Sequence, residues 1–200
     1  MKLEIWIEFA STYSYLTVCR AQTLLKSAKV DYVWRPFLLG PIFKARGLET
    51  SPFILDPIKG AYMWRDVERR AAAQALPFKR PSVFPANGLN AARIMTAAQS
   101  EPWCGDFART VFEAQFVKDE DVSDLGVLSN ALLACGAEPS HWLPVAQSEP
   151  TKQKLRAQTE HAKTLRIFGA PSFIVGKELF WGDDRFEDAV NWARECKKPR

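Results

Sequence analysis

An alternating strand that runs directly into a buried helix constrains this chain more than any other feature. Apolar Leu3, Ile5, Ile7 and Phe9 alternate with Lys2, Glu4, Trp6 and Glu8. This period of two is typical of a strand with one face on the core. From residue 15 onward a wide apolar face indicates a buried helix. The chain therefore turns sharply between the two, at residues 10–14.

Two hydroxyls, Ser11 and Ser14, occupy that turn. Ser11 stands where the N-cap of the helix is expected, because a serine hydroxyl there accepts from a free backbone N–H. Helix N-termini also attract negative charge through their unpaired donors and the helix dipole. Ser11 could therefore be only a cap, or it could help to hold an oxyanion or a thiolate.

The next 130 residues read as one more strand followed by a long helical stretch. Residues 30–36 are rich in β-branched and aromatic side chains and predict a second strand, parallel to the first through a βαβ unit. Residues 37–57 contain three prolines and two glycines and predict a long ordered loop, with Lys44 either functional or merely solvated. Helices are predicted over residues 61–76, 89–98, 103–117, 122–135 and 153–168. A shorter helix is predicted to start at 138–140, and Asn87 is a candidate cap for the helix at 89–98.

The chain ends on a predicted hairpin and helix. Residues 172–175 and 178–181 flank Gly176-Lys177, which predicts two short antiparallel strands. An Asp followed three residues later by Glu, within residues 182–187, resembles a capping box. Phe186, Ala189, Val190 and Ala193 then mark one face of a last helix.

Composition excludes several classes of function. The net charge of +4 comes from 27 basic and 23 acidic residues spread along the chain. Only the tail Lys197-Lys198-Pro199-Arg200 is a basic run, which favours a solvated end over a nucleic-acid arm. No apolar run is long enough for a membrane span, and no secretory signal is visible. The four cysteines and two histidines form no zinc pattern, so we expect no metal and a reducing cytoplasm.

Gly169-Ala170-Pro171-Ser172 changes how the opening turn is interpreted. A proline leading into a strand lacks a ladder donor and is expected at an edge or bulge, and X-Pro bonds are where cis peptides occur. Together with the opening turn and the βαβ unit, this ending resembles the thioredoxin fold, whose cis-proline faces the first helix. We therefore predict an α/β thioredoxin-like domain (residues 1–60 and 166–200) with a large all-helical insertion (residues 61–165). Serines replace its Cys-x-x-Cys pair, so dithiol exchange is not expected.

Five strings in order strengthen this resemblance to a particular family. They are Ser11-x-Tyr13-Ser14-Tyr15-Leu16, Phe37-Leu38-Leu39-Gly40-Pro41-Ile42-Phe43-Lys44, Phe84-Pro85-Ala86-Asn87, Gly169-Ala170-Pro171-Ser172-Phe173 and Phe180-Trp181-Gly182-Asp183-Asp184-Arg185. Over essentially the whole chain they resemble the 2-hydroxychromene-2-carboxylate isomerases, which are relatives of kappa-class glutathione transferases and of DsbA-type oxidoreductases.

The resemblance implies a glutathione-dependent isomerase of aromatic catabolism. Such enzymes interconvert 2-hydroxychromene-2-carboxylate and trans-o-hydroxybenzylidenepyruvate. Ser11 matches the family's catalytic serine, and we expect its hydroxyl to stabilise the glutathione thiolate, unless Ser11 is itself the nucleophile. The resemblance also implies a homodimer, with a small aromatic carboxylate as substrate.

The resemblance also implies which residues bind. The expected glutathione ligands besides Ser11 are Ala170, Pro171, Trp181, Gly182, Asp183 and Asp184. The expected substrate ligands are Lys44, Phe84, Pro85 and Asn87. Simple helix capping is the alternative role for either aspartate.

Two positions depart from the family pattern and leave other functions open. Thr12 stands where many relatives have proline, and Glu49 stands where asparagine is frequent. A negative charge at Glu49 would disfavour an anionic ligand, which puts the particular substrate in doubt. A kappa-like glutathione transferase and a non-catalytic thioredoxin-fold binding module are the alternatives.

Overall fold

The computed structural model describes residues 2–196, so the basic tail at 197–200 lies outside the described residues. The strands are β1 (Leu3–Ile7), β2 (Tyr32–Pro36), β3 (Ser172–Val175) and β4 (Glu178–Trp181). The helices are α1 (Thr12–Ala28), α2 (Leu39–Ala45), α3 (Pro52–Leu55), α4 (Pro57–Ala73), α5 (Leu89–Ala97), α6 (Cys104–Phe116), α7 (Leu125–Ala134), α8 (Pro139–Gln147), α9 (Glu149–Thr164) and α10 (Phe186–Glu195). A 3-10 turn, Asp183–Arg185, precedes α10. None of the described helices is both long and apolar enough to cross a membrane.

The four strands form one mixed sheet in the order β2-β1-β3-β4. β1 pairs in parallel with β2, as the βαβ pattern predicts, and antiparallel with β3. The β3–β4 hairpin is confirmed with its predicted bounds. Pro171 was expected at a sheet edge or a bulge, and the edge is wrong, because β3 is an inner strand. Pro171 lies just before Ser172, the first residue of β3, where no ladder donor is required.

The core occupies both faces of the sheet. On one face a large cluster joins α1, α5–α7 and α10 to the strands, with Phe9, Phe112 and Phe173 fully buried in it. On the other face Trp6 is also fully buried and packs against Phe37. The alternating pattern predicted a polar outer face for β1. This is wrong at Trp6, because α2 and α9 cover that face.

Residues 37–57 contain helices α2 and α3 instead of the predicted long loop. Each of the three prolines falls in the first turn of a helix: Pro41 in α2, Pro52 in α3 and Pro57 in α4. A missing N–H costs nothing there, because the first N–H groups of a helix have no intrahelical partner. The same residues that suggested a loop therefore start helices.

The helices α4–α9 lie between β2 and β3, where a helical stretch was predicted. α4 begins at Pro57, four residues earlier than expected, with Asp56 as its cap. At α5 the cap position is Gly88, although the Asn87 Oδ1 does accept from the Leu89 N–H at 3.2 Å. The division into residues 1–60 with 166–200 and residues 61–165 stays a prediction.

Gly88 lets the loop before α5 contact the end of the first strand. A Cβ added at Gly88 would lie 2.5 Å from the Cβ of Phe9, which is itself fixed in the core. We expect Gly88→Ala to lower the free energy of unfolding by about 1–3 kcal/mol through overpacking. Urea denaturation measures this change. Gly40→Ala is the matched control, because Gly40 is exposed in α2 with no atom within 4 Å of an added Cβ. An equal loss in both variants would contradict the packing argument.

Candidate active site at the first turn of helix α1

Ser11 joins the start of α1 to the segment before β3. It is the N-cap of α1, with φ −81° and ψ 116°, and its Oγ accepts from the Ser14 N–H at 3.1 Å. The same hydroxyl donates to the Ala170 carbonyl at 2.8 Å. Ser11 is therefore a cap, as predicted, and also contacts the chain 159 residues away. A partly exposed hydroxyl with these two bonds can turn its proton toward a bound anion.

The peptide bond between Ala170 and Pro171 is cis, as the thioredoxin-fold resemblance implied. The Pro171 carbonyl accepts from the Gly182 N–H at 3.0 Å, which ties this segment to the end of β4. The Ala170 N–H forms no hydrogen bond within residues 2–196. Within residues 2–196 the Ala170 N–H is therefore a backbone donor without a partner, close to Ser11.

An aromatic wall adjoins this segment. The Trp181 indole lies on the backbone of Gly169, so closely that an added Cβ would be 3.0 Å from its Cε2 atom. Phe168 packs against Trp181 with ring centroids 4.7 Å apart, and the Arg46 guanidinium lies over Phe168 at 5.9 Å. Both rings are substantially exposed. A side chain at Gly169 would therefore displace the Trp181 indole from its present position.

The two aspartates after β4 have opposite environments. Asp183 is 1% exposed and accepts from the Thr17 hydroxyl at 2.9 Å and from Arg20 at 2.8 Å. Gln74, which directly follows α4, donates to the other carboxylate oxygen of Asp183 at 3.4 Å. Asp184 is exposed and pairs only with Arg185, at 3.2 Å, among residues 2–196. The predicted capping box of Asp184 and Glu187 is wrong, because the cap position of α10 is Arg185 and no side chain caps this helix.

Phe84, one of the predicted substrate residues, belongs to an aromatic cluster between the helical stretch and α1. Phe84 packs edge-on against Trp64 of α4 at 4.8 Å, and Tyr13 of α1 faces Phe53 of α3 at 6.5 Å. Met63, Trp64 and Val67 form the buried centre of this cluster. Phe84–Pro85 is a second cis peptide, and Pro85 and Asn87 are exposed beside it.

Tyr13, Phe53 and Trp64 were not among the predicted site residues. Tyr13 donates its hydroxyl to Asp66 at 3.0 Å, and burial together with this carboxylate raises the pKa of the Tyr13 phenol above its usual range. The sequence signal was Tyr13 itself, two residues after Ser11. Its aromatic partners lie far along the chain and could not be identified from spacing.

Lys44 lies in the last turn of α2 and is exposed, without an ion pair in the described part of the chain. Ile42 of the same helix packs in the cluster that contains Ala170. Lys44 is therefore on a helix that adjoins the Ser11–Ala170 region. Within residues 2–196 there is also no group of three His, Cys, Asp or Glu side chains that could hold a metal.

Glu8 is a further group at this turn that the sequence interpretation did not include. Its Oε2 accepts from the Ala10 N–H at 2.9 Å, and its backbone carbonyl accepts from the Ser11 N–H at 3.0 Å. Burial raises the pKa of the Glu8 carboxyl to about 7, although the bond from Ala10 lowers it. The signal in the sequence was an acid directly after the first strand, three residues before Ser11.

Comparison with known proteins agrees with this architecture. A family model described as DSBA-like thioredoxin domain matches residues 2–191. The chain is 25% identical to a 2-hydroxychromene-2-carboxylate isomerase from Pseudomonas sp. (strain C18), over 96% of this chain and 91% of the relative. A solved structure of a 2-hydroxychromene-2-carboxylate isomerase superimposes with a TM-score of 0.87 at 21% identity, covering 98% and 97% of the two chains.

The cytosolic disulfide reductase DsbM from Pseudomonas aeruginosa with GSH has a TM-score of 0.66 at 13% identity, covering 98% of this chain and 96% of the reductase. The thioredoxin-like α/β fold and the predicted resemblance are confirmed.

The opposite environments of the two aspartates lead to different expectations for their asparagine variants. Asp183→Asn removes the charge that Arg20 and Arg70 face, so we expect the free energy of unfolding to fall by about 2–3 kcal/mol. Asp184→Asn, the adjacent control, loses one exposed pair and should change by about 0–1 kcal/mol. Urea denaturation of both variants measures the difference. Equal losses would show that burial of Asp183 has no energetic consequence.

Proposed function

The chain belongs to the DSBA-like thioredoxin domain family, and we propose that it works as a glutathione-dependent isomerase. The proposed reaction interconverts 2-hydroxychromene-2-carboxylate and trans-o-hydroxybenzylidenepyruvate. The observation that carries the proposal is the Ser11 hydroxyl, which lies at a helix N-terminus and bonds to the residue before a cis-proline. Similarity to the isomerases over almost the whole chain supports this choice of substrate class.

Ser11 is suited to hold a thiolate. When bound, glutathione would supply a nucleophilic sulfur that adds reversibly to the conjugated double bond and so permits its rotation. Ser11 can redirect its proton from the Ala170 carbonyl to that sulfur while still accepting from Ser14. The N-terminus of α1 lowers the energy of a negative charge at the same place. The chain's own residue would thus stabilise the nucleophile without forming a covalent bond.

The free N–H of Ala170 supports binding of an extended peptide-like cofactor. An extended ligand can accept from this donor as an added strand does, and the Ala170 carbonyl becomes available when Ser11 turns away. Pro171, Trp181 and Gly182 would line the same segment. Glutathione could therefore form hydrogen bonds with both the N–H and the carbonyl of Ala170.

We assign different roles to the two acids at the γ-glutamyl end. Asp184 is exposed and can pair with the ligand's ammonium group. Asp183 already accepts from Thr17, Arg20 and Gln74, so it would fix the turn that presents Asp184. Asp183 thus contributes to the cofactor site by position.

The aromatic cluster would bind the ring of the substrate. Phe84 and Tyr13 belong to it, with Pro85 and Asn87 exposed at its edge. Lys44 would attract the substrate carboxylate, since it is exposed and without an ion pair in residues 2–196. A homodimer stays a prediction of the family resemblance, and a cytoplasmic location stays a prediction from the cysteine pattern.

Replacing Ser11 tests the proposal directly. We expect Ser11→Ala to weaken binding of reduced glutathione about tenfold at pH 7 and to raise the pKa of the bound thiol, because one hydrogen bond to a charged sulfur is lost. Calorimetric titration and thiolate absorbance measure the two effects. Ser27→Ala is the control, since Ser27 is exposed on α1 and donates only to Leu24.

Product analysis separates this function from its alternatives. An isomerase returns a product of unchanged mass, whereas a kappa-like transferase releases a glutathione conjugate. Absence of glutathione binding to the native protein would contradict the cofactor and favour a non-catalytic binding module. Ser11→Ala with full isomerase activity would contradict the role of Ser11.

Lys44 gives a separate prediction about the substrate. We expect Lys44→Gln to raise KM for the carboxylate substrate about fivefold with little change in kcat, because it removes an exposed charge that binds ground state and transition state alike. Steady-state kinetics measures both constants. Lys177→Gln, at the exposed hairpin turn, is the control. A loss confined to kcat would contradict a role in carboxylate binding.

A further inference from the structure

Glu8 is a titratable residue in the turn that carries Ser11, three positions before it. Its carboxylate accepts from the Ala10 N–H at 2.9 Å, and its carbonyl accepts from the Ser11 N–H at 3.0 Å. Its own N–H lies 3.5 Å from the Ser14 hydroxyl. The acid is therefore built into the same turn that carries the two serines.

The carboxyl of Glu8 has no charged partner. It forms no ion pair within residues 2–196, and burial and the Ala10 N–H account for its raised pKa of about 7, without a contribution from any lysine, arginine, histidine or second acid. A charge in such a site is costly, so a proton is readily accepted.

The two histidines contact residues outside this turn, and Cys19 keeps its proton near neutral pH. His161 contacts Trp6 and Thr164, and His141 lies beside Trp142 on α8. Burial raises the pKa of Cys19 to about 12. Among the described residues, Glu8 is the acid that titrates near neutral pH at this turn.

We infer that Glu8 takes up the proton of the thiol that ionises at Ser11. The inference rests on the proposed function, since it needs a thiol bound at that hydroxyl. The S–H bond breaks, its electron pair stays on sulfur, and the proton bonds to a carboxylate oxygen of Glu8. When the thiol is restored, the proton returns by the reverse step.

The direction of this transfer follows from the different stabilisation of the two anions. A thiolate at Ser11 has the serine hydroxyl and the N-terminus of α1 beside it, whereas the Glu8 carboxylate has one N–H and a buried surrounding. Two negative charges on one short turn repel each other, so one site keeps the proton. The less stabilised anion, Glu8, is therefore the one that is neutralised.

Proton release on binding tests this inference without measuring activity. Titration calorimetry in buffers of different ionisation heat counts the protons released when glutathione binds. At about pH 8 the ordinary thiol is mostly protonated and free Glu8 mostly ionised, so the native protein should release few protons. Glu8→Gln should release up to about one more proton per glutathione. At about pH 5.5 Glu8 is already protonated, and the two proteins should release equally.

S-methylglutathione is the control ligand, because it has no thiol proton. It should give the same proton count with the native protein and with Glu8→Gln. Glu178→Gln, an exposed acid on β4, is the control variant and should behave as the native protein does with both ligands.

Infrared spectroscopy gives a second readout that needs no variant. Glutathione, but not S-methylglutathione, should produce the band of a protonated carboxylic acid in the native protein at about pH 8. Glutathione binding with equal proton release in native protein and Glu8→Gln, and no such band, would overturn the role of Glu8 alone. Failure of both ligands to bind would overturn the proposed function together with this inference.

Discussion

The buried carboxylate of Asp183 is the interaction on which the arrangement of this protein depends. A charge that is 1% exposed is tolerated only when it is paired and hydrogen-bonded. Its partners come from two separate helical regions: Thr17 and Arg20 lie on α1, while Arg70 and Gln74 lie on and just after α4. Asp183 therefore links three parts of the chain: α1, the end of α4 and the turn at residues 183–185. Its hydrogen bonds and ion pairs form together only when these three parts pack as they do here.

This constraint separates structural support from the proposed ligand binding at two adjacent positions, Asp183 and Asp184. Asp183 is saturated by its neighbours, which fixes the backbone of the turn after β4. Asp184 is left facing solvent with a single exposed partner, so it can exchange that partner for a ligand at little cost. The same turn is tied to Pro171 through the Gly182 N–H, so the exposed acid and the cis-proline segment are held together.

The features that depend on local physics were predictable from the sequence. The β3–β4 hairpin, the buried face of α10 and the Ser11 cap follow from turn chemistry, periodicity and capping. The burial of Trp6, the helices at residues 37–57 and the pairing of Asp183 were not predictable. Each depends on which distant element covers a face or supplies a partner, and a proline pattern alone cannot distinguish a loop from a series of helix starts.

The turn at residues 10–14 carries serines and no cysteine, which agrees with the proposed use of an external thiol. Ser11 and Ser14 do not ionise near neutral pH, and burial raises the pKa of both Cys19 and Cys104 to about 12. The N-terminus of α1 nevertheless favours a negative charge, and the acid closest to it, Glu8, is itself disfavoured as an anion by burial. The turn thus stabilises one anion that the chain does not supply. In the proposed function, a small thiol bound beside Ala170 would be the anion that these donors stabilise, and Glu8 would take up its proton.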